Sequence, residues 1–176
     1  RTISDHVQPA ERDTKARGAM ENRTIPVLRV PGWECIPGLT HGFFGRRGGF
    51  SEGSYSSLNL SERVGDLGAA VVGNWSRVGA QLRGMTIVTM RQVHGASVFR
   101  VRDTNSSPPR EADGLSTGVS GMALGILTAD CVPILMVARI RRVVLAVHAG
   151  WRGTLAGIAR AAVLHAQTEY SVDPSE

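Results

Sequence analysis

The stretch Leu124-Gly-Ile-Leu-Thr-Ala-Asp-Cys-Val-Pro-Ile-Leu-Met-Val-Ala-Arg-Ile-Arg-Arg-Val-Val-Leu-Ala-Val-His-Ala-Gly-Trp-Arg-Gly153 decides how this chain folds. Its apolar runs are short and bounded by Gly, Pro and Asp, which suits buried strands better than helices. One run, from Met122 to Leu127, ends at Thr128-Ala129-Asp130-Cys131; Pro133 restarts an apolar run to Val137, and Val143 to Val147 delivers His148. The pattern predicts strand, cysteine turn, strand, strand, then a histidine and a tryptophan among glycines ahead of a helix. Arg139, Arg141 and Arg142 belong to the turn between the last two strands. Cys131 therefore sits at one strand end and His148 at another. If those strands are neighbours, the two side chains meet at a sheet edge, where binding sites tend to form.

Outward from this stretch, Thr154 to Tyr170 reads as a helix with Leu155, Ile158, Ala162 and Val163 on one face. Upstream, Glu111-Ala112-Asp113-Gly114 opens a run to Thr117; Asp113 is a catalytic, turn-forming or histidine-orienting candidate, with the last two roles favoured. Met85 to Met90 and Ser97 to Val101 are predicted strands, and His94 lies at their junction beside Gly95. Ala69 or Ala70, Val71, Trp75, Val78 and Leu82 recur at helical spacing, predicting an amphipathic helix over 68–83 that stops at Gly84. His41 to Ser51 is rich in glycine and carries Arg46 and Arg47. It is either an anion-binding loop or a glycine hairpin with solvated arginines, and no Walker or dinucleotide fingerprint is present. Asn59 stands between two leucines. Val27 to Val30 is a short strand, Cys35 a packed thiol, 105–109 a surface loop, and 1–24 a flexible segment without periodicity.

The 176 residues suit one domain, and a hydrophobic content of 42% with 20% charged residues is ordinary for a globular protein. The net charge of +5 is carried almost wholly by arginine, Lys15 being the sole lysine. Arginine holds phosphate and carboxylate well, yet the arginines do not cluster into a nucleic-acid stripe. Two cysteines, Cys35 and Cys131, do not make a disulfide framework, and no apolar segment reaches membrane-spanning length. The expectation is a cytoplasmic protein without nucleic-acid or membrane partners, its oligomeric state left open.

His94, Cys131 and His148 all fall at predicted strand ends beside small residues. Two imidazoles and a thiolate suit a catalytic zinc with one open position. Their spacing matches no zinc finger, so the fold would have to assemble the set. A second reading uses the same atoms without metal: Cys131 as nucleophile, His148 or His94 as base, and Asp130 or Asp113 as orienter.

Four segments carry a resemblance: Gly42-Phe-Phe-Gly-Arg-Arg-Gly-Gly-Phe-Ser51 with Ser57-Leu-Asn-Leu60, Gln92-Val-His-Gly95, Ala129-Asp-Cys-Val-Pro133 and His148-Ala-Gly-Trp-Arg-Gly153. In this order they resemble the YfiH family, once labelled multicopper polyphenol oxidoreductases or laccases and now regarded as purine nucleoside enzymes. The resemblance implies an α/β fold, a layered sandwich of mixed sheets flanked by helices and shared with the CNF-type deamidase domain. It implies that residues 25–176 form a single catalytic domain lacking the family's usual C-terminal part. It implies His94, Cys131 and His148 as metal ligands and catalytic residues, with Asp130 a general base or histidine orienter, and Arg46, Asn59 and Arg152 at the substrate.

The implied activity is zinc-dependent phosphorolysis of purine nucleosides by phosphate, with adenosine deamination in the same site. Zinc-activated water would attack the purine, and Arg46, the glycine loop and a helix start after Gly153 are the phosphate candidates. The alternatives are a copper-dependent phenol oxidase, a metal-free Cys-His hydrolase and a non-catalytic nucleoside-binding module.

Overall fold

The computed structural model describes residues 25–103 and 111–175, so the expected flexible segment 1–24 and the expected loop 105–109 lie outside the described residues. In chain order the elements are β1 (Val27–Leu28), β2 (Phe43–Phe44), α1 (Gly68–Gln81), β3 (Thr86–Val88), β4 (Val98–Arg100), β5 (Gly114–Thr117), β6 (Met122–Leu124), β7 (Val132–Ala138), β8 (Val143–Ala149), α2 (Trp151–Leu155) and α3 (Ile158–Tyr170). The architecture is the mixed α/β one the sequence leads one to expect. A four-stranded sheet runs β4-β5-β8-β7, while β3 pairs with β6 and β1 pairs with β2. The β4–β5 and β3–β6 pairs are parallel, and the others are antiparallel.

The hairpin of β7 and β8 carries the site. Its register sets Pro133 opposite His148 and Val132 opposite Ala149, so Cys131, one residue before β7, arrives beside the histidine. Pro133 is tolerated because β7 pairs on one side only, and an edge strand does not need every N–H. Strand alternation then divides β8 between two faces. Val143, Leu145, Val147 and Ala149 pack with Ile158, Ala162 and Ala166 of α3. His148 is therefore directed to the face away from α3.

Two sequence expectations need correction here. The predicted single helix from Thr154 is two: α2 begins at Trp151, and Gly157, left-handed at φ 81°, breaks the chain before α3. The packed stripe is Ile158, Ala162 and Ala166, spaced by four, while Leu155 is 84% exposed and Val163 also reaches the surface. An unbroken 3.6-residue period could not reveal a kink that shifts the phase of the face. Cys35 is exposed, not packed, because it ends a one-turn helix at the surface.

Elsewhere the patterns hold. The expected amphipathic helix is α1, burying Val71, Asn74 and Val78, with Gly84 in the left-handed region beyond its end. Val78 packs with Ile25 and Leu58, and with the partly buried Trp75, Leu82 and Ile87. The apolar run beginning at Met122 stops pairing at Leu124; its continuation to Leu127 lines an apolar groove of about 480 Å³, with Leu135 and Ala146 on another wall. Among the described residues no helix is long and apolar enough to cross a membrane.

The end of α3 is clasped to β4 and β5. Ser116 Oγ lies 2.8 Å from His165 Nε2 and 3.0 Å from the Tyr170 hydroxyl. The Arg100 guanidinium sits 4.1 Å over the Tyr170 ring and reaches Glu169. Burial pushes the His165 pKa down, Glu169 opposing and Arg100 assisting. A histidine whose folded pKa is depressed binds its proton more readily in the unfolded chain, so stability falls as pH drops below the ordinary imidazole value of 6.5 toward the folded one. Thermal midpoints measured between neutral and mildly acid pH should therefore decline less steeply in His165→Gln than in wild type.

Candidate metal centre

His94 occupies the loop between β3 and β4 with φ 60°, a left-handed conformation that costs a residue with a side chain about 1–3 kcal/mol. Asp113 supports that backbone: His94 N–H donates to Asp113 Oδ1 at 2.9 Å, and the N–H groups of Gly95 and Val93 donate to Oδ2 at 2.7 and 3.2 Å. Gln92 ties the same loop to the segment leading to Cys131. Its amide donates to the Leu127 carbonyl at 2.6 Å and accepts from the Leu127 N–H at 2.8 Å.

His148 enters from β8 and is buried. Its backbone N–H donates to the Asp113 carbonyl at 2.7 Å, and its Nδ1 lies 2.8 Å from Asp113 Oδ1. Cys131 lies at the mouth of β7, its sulfur 3.7 Å from His94 Nε2. The two imidazoles meet edge to face, centroids 4.8 Å apart. One donor atom from each of His94, Cys131 and His148 falls within 4.8 Å of the others.

These residues fit a metal ion. Ligands at about 2.0 Å for nitrogen and 2.3 Å for sulfur on a tetrahedral zinc stand roughly 3.5 Å apart, close to the 3.7 Å between His94 Nε2 and the Cys131 sulfur. The thiol's surroundings act in the same sense. Partial burial pushes the Cys131 pKa up, and the carboxylates of Asp130 and Asp113 push it further. A bare thiolate is disfavoured there, and a cation would offset both effects. With His94 exposed and Cys131 half-buried, one side of the set opens to solvent.

The other sequence candidates are distributed unevenly. Asp130 is exposed, with Oδ1 3.7 Å from the Cys131 sulfur. The contact that orients a histidine belongs to Asp113. Arg152 is exposed on α2, with its guanidinium 5.0 Å over the Trp151 ring. Arg46 lines the apolar groove, and its guanidinium donates to the Ser56 carbonyl at 2.6 Å. Asn59 uses its amide locally, donating to the Ser61 carbonyl and Asp66 and accepting from the Ser61 N–H.

The glycine loop is a tied hairpin instead of an open anion cradle. The N–H groups of Gly48 and Gly49 donate to Ser57 Oγ, and that of Phe50 to Asn74 Oδ1. A Cβ on Gly49 would stand 2.0 Å from the Ser57 carbonyl, so close chain approach explains that glycine. The expected helix start after Gly153 is also displaced, since α2 already begins at Trp151.

Sequence reasoning missed Gly150. A Cβ there would lie 2.5 Å from the His94 ring, 3.3 Å from the Cys131 sulfur and 3.4 Å from the His148 ring. The glycine directly after His148-Ala149 was the available signal. Gly153 does similar work at the other side, where a Cβ would stand 2.6 Å from the Gly95 carbonyl, allowing α2 to press against the His94 loop.

Residues 40–176 match the family model described as multi-copper polyphenol oxidoreductase laccase. The chain belongs to this family. A family member from Streptomyces coelicolor, a purine nucleoside phosphorylase, is 39% identical over 146 residues, covering 81% of this chain and 60% of its own length. Purine nucleoside phosphorylase YlmD of Geobacillus stearothermophilus is 36% identical over 149 residues, covering 79% of this chain and 54% of its own. The crystal structure of that YlmD superposes with a TM-score of 0.74 at 35% identity, covering 85% of this chain and 58% of that one. Bacillus licheniformis YfiH superposes with a TM-score of 0.75 at 29% identity, covering 87% and 60%. The chain thus spans little more than half the length of the curated relatives it matches.

The crowding of His94, Cys131 and His148 around Gly150 makes it a sensitive position. Its φ of −72° suits alanine, so Gly150→Ala should leave the far-ultraviolet spectrum intact while its methyl displaces the His94 ring. Metal affinity in a chelator competition should fall by roughly 10–100-fold, as when ligand support is removed.

Proposed function

We propose that the protein is a zinc-dependent purine nucleoside phosphorylase that also deaminates adenosine. The observation carrying this reading is the convergence of His94, Cys131 and His148 on one point at the solvent-open end of the β7–β8 hairpin. The names of the relatives from Streptomyces coelicolor and Geobacillus stearothermophilus supply the substrate class: purine nucleosides and phosphate. His94, Cys131 and His148 would hold a zinc ion, which would supply Lewis acidity toward an oxygen or nitrogen of the reacting pair.

The remaining work belongs to the chain. In phosphorolysis the glycosidic bond breaks, the anomeric carbon gains a phosphate oxygen, and the base leaves with a proton. In deamination water replaces the amino group, which leaves as ammonia. Asp130, exposed beside Cys131, is the group placed to carry a proton between substrate and solvent. Arg152 offers a guanidinium for phosphate, and Arg46 keeps spare donors beyond those given to Ser56. Asn59 acts on substrate through the shape of the segment from 59 to 66, which its amide holds through Ser61 and Asp66.

A copper-dependent phenol oxidase is the second reading, favoured by the family model's description. One thiolate and two imidazoles can hold copper. A multicopper cluster needs further histidines, and among the described residues His41 and His165 are engaged elsewhere: Nε2 of His41 accepts from the Val30 N–H, and that of His165 meets Ser116. A metal-free Cys-His hydrolase conflicts with a thiol whose pKa is raised.

The test is metal analysis joined to turnover. Purified protein should carry about one zinc per chain and release free base from adenosine and inosine only when phosphate is present. Cys131→Ala should lose more activity than the roughly 10–100-fold attached to outer-sphere partners. Phenol oxidation with bound copper would favour the second reading. Rapid alkylation of Cys131 in metal-loaded protein would point to the hydrolase, and nucleoside binding without turnover to a binding module.

A further inference from the structure

We propose that Asp113 is the positioning residue of this centre, one carboxylate that sets both the tautomer of His148 and the backbone of His94 before a cation arrives. The inference rests on the metal-site reading above and names what that site requires beyond its ligands.

Asp113 is fully buried, and its two oxygens receive three backbone N–H groups and lie against one imidazole nitrogen. Oδ1 takes His94 N–H and His148 Nδ1; Oδ2 takes the N–H groups of Gly95 and Val93. Every partner on the main chain is a donor, so the group between them must accept with both atoms. Only a carboxylate does so. Against an acceptor, His148 carries its proton on Nδ1, which leaves the Nε2 lone pair for metal.

The same oxygens hold the turn on which His94 depends. Three consecutive N–H groups, Val93 to Gly95, wrap the carboxylate, and His94 is left-handed at the centre of that wrap. Without the anion those amides would lose their acceptor, and the strained φ would lose its compensation. His94 would then relax away from Cys131.

Asp113 itself is placed by the sheet. Its N–H donates to the Ser97 carbonyl at 3.1 Å, and its carbonyl accepts from His148 N–H at 2.7 Å. The residue is thus stitched between the lead-in to β4 and the end of β8. Gly114 allows this approach, since a Cβ there would stand 2.9 Å from the Val98 side chain. Asp113-Gly114 is a strand entry under close packing, not a turn. Asp113 touches no metal-facing atom, so its action runs through the two histidines.

Asparagine separates this role from simple space filling. Asp113→Asn matches the shape but turns one acceptor into a donor. If the new NH2 faces Gly95 and Val93, donors oppose donors and the His94 turn opens. If it faces His148, the imidazole must accept on Nδ1, and its proton moves to Nε2, the atom needed by metal.

Nitrogen-15 spectra of metal-free wild-type protein, recorded at a pH where the imidazole is neutral, should show His148 as the Nδ1–H tautomer. Folded Asp113→Asn should show loss of that signature or loss of the His94 turn. Its zinc affinity, read by competition with a chromophoric chelator, should drop at least tenfold, in the range attached to such supporting groups. The wild-type tautomer measurement stands even if the variant does not fold. An Nε2–H tautomer in wild type, or undiminished zinc affinity in Asp113→Asn, would overturn this inference alone. Failure of the wild-type protein to bind zinc at all would overturn the functional reading as well.

Discussion

A buried carboxylate needs compensation, and the way Asp113 obtains it organises the working end of this protein. An anion without water must be surrounded by donors. Here the donors come from two places far apart in the chain: three amides of the His94 turn and the imidazole of His148. Satisfying the charge therefore joins the two segments. The α/β scaffold positions Asp113, and Asp113 positions the histidines.

Cys131 reaches the same point by a different constraint. Antiparallel register across the β7–β8 hairpin places the residue before Val132 next to the end of β8, where His148 stands. Gln92 adds a second tether, since both ends of its amide grip Leu127 upstream of the cysteine turn. Small residues complete the arrangement. Gly150 leaves room for the side chains of His94, Cys131 and His148, and Gly153 lets α2 close on the His94 loop. A centre built from a loop, a strand mouth and a strand end is thus made rigid by sheet pairing and by one shared acceptor.

Away from this end, polar groups secure the arginine-bearing loop. Asn74, buried on α1, gives its oxygen to Phe50 and its NH2 to Ser51 and the Asn59 carbonyl. Ser57 caps Gly48 and Gly49. The N–H groups of Gly48 to Ser51 are consumed in holding the loop's shape. The apolar groove beside it is lined by Arg46, Leu127 and Leu135.

The family resemblance implied the α/β class, and the sequence by itself determined the strands around Cys131 and His148, the α1 helix and the candidate ligands. These are encoded locally: apolar runs cut by Gly, Pro and Asp define strands, and a 3.6-residue period defines α1. The motifs around His94, Cys131 and His148 carried the family resemblance that the residues 40–176 match then showed. Tertiary structure alone decided that the three side chains share a point, because their convergence depends on strand order and register across distant segments. It also surrounds Asp113 with the N–H groups of residues 93–95 and the imidazole of His148, partners far from it in the chain. It closed the glycine loop on Ser57 and exposed Cys35 and Leu155, for burial and hydrogen-bond partnership are properties of packing and not of neighbours in sequence.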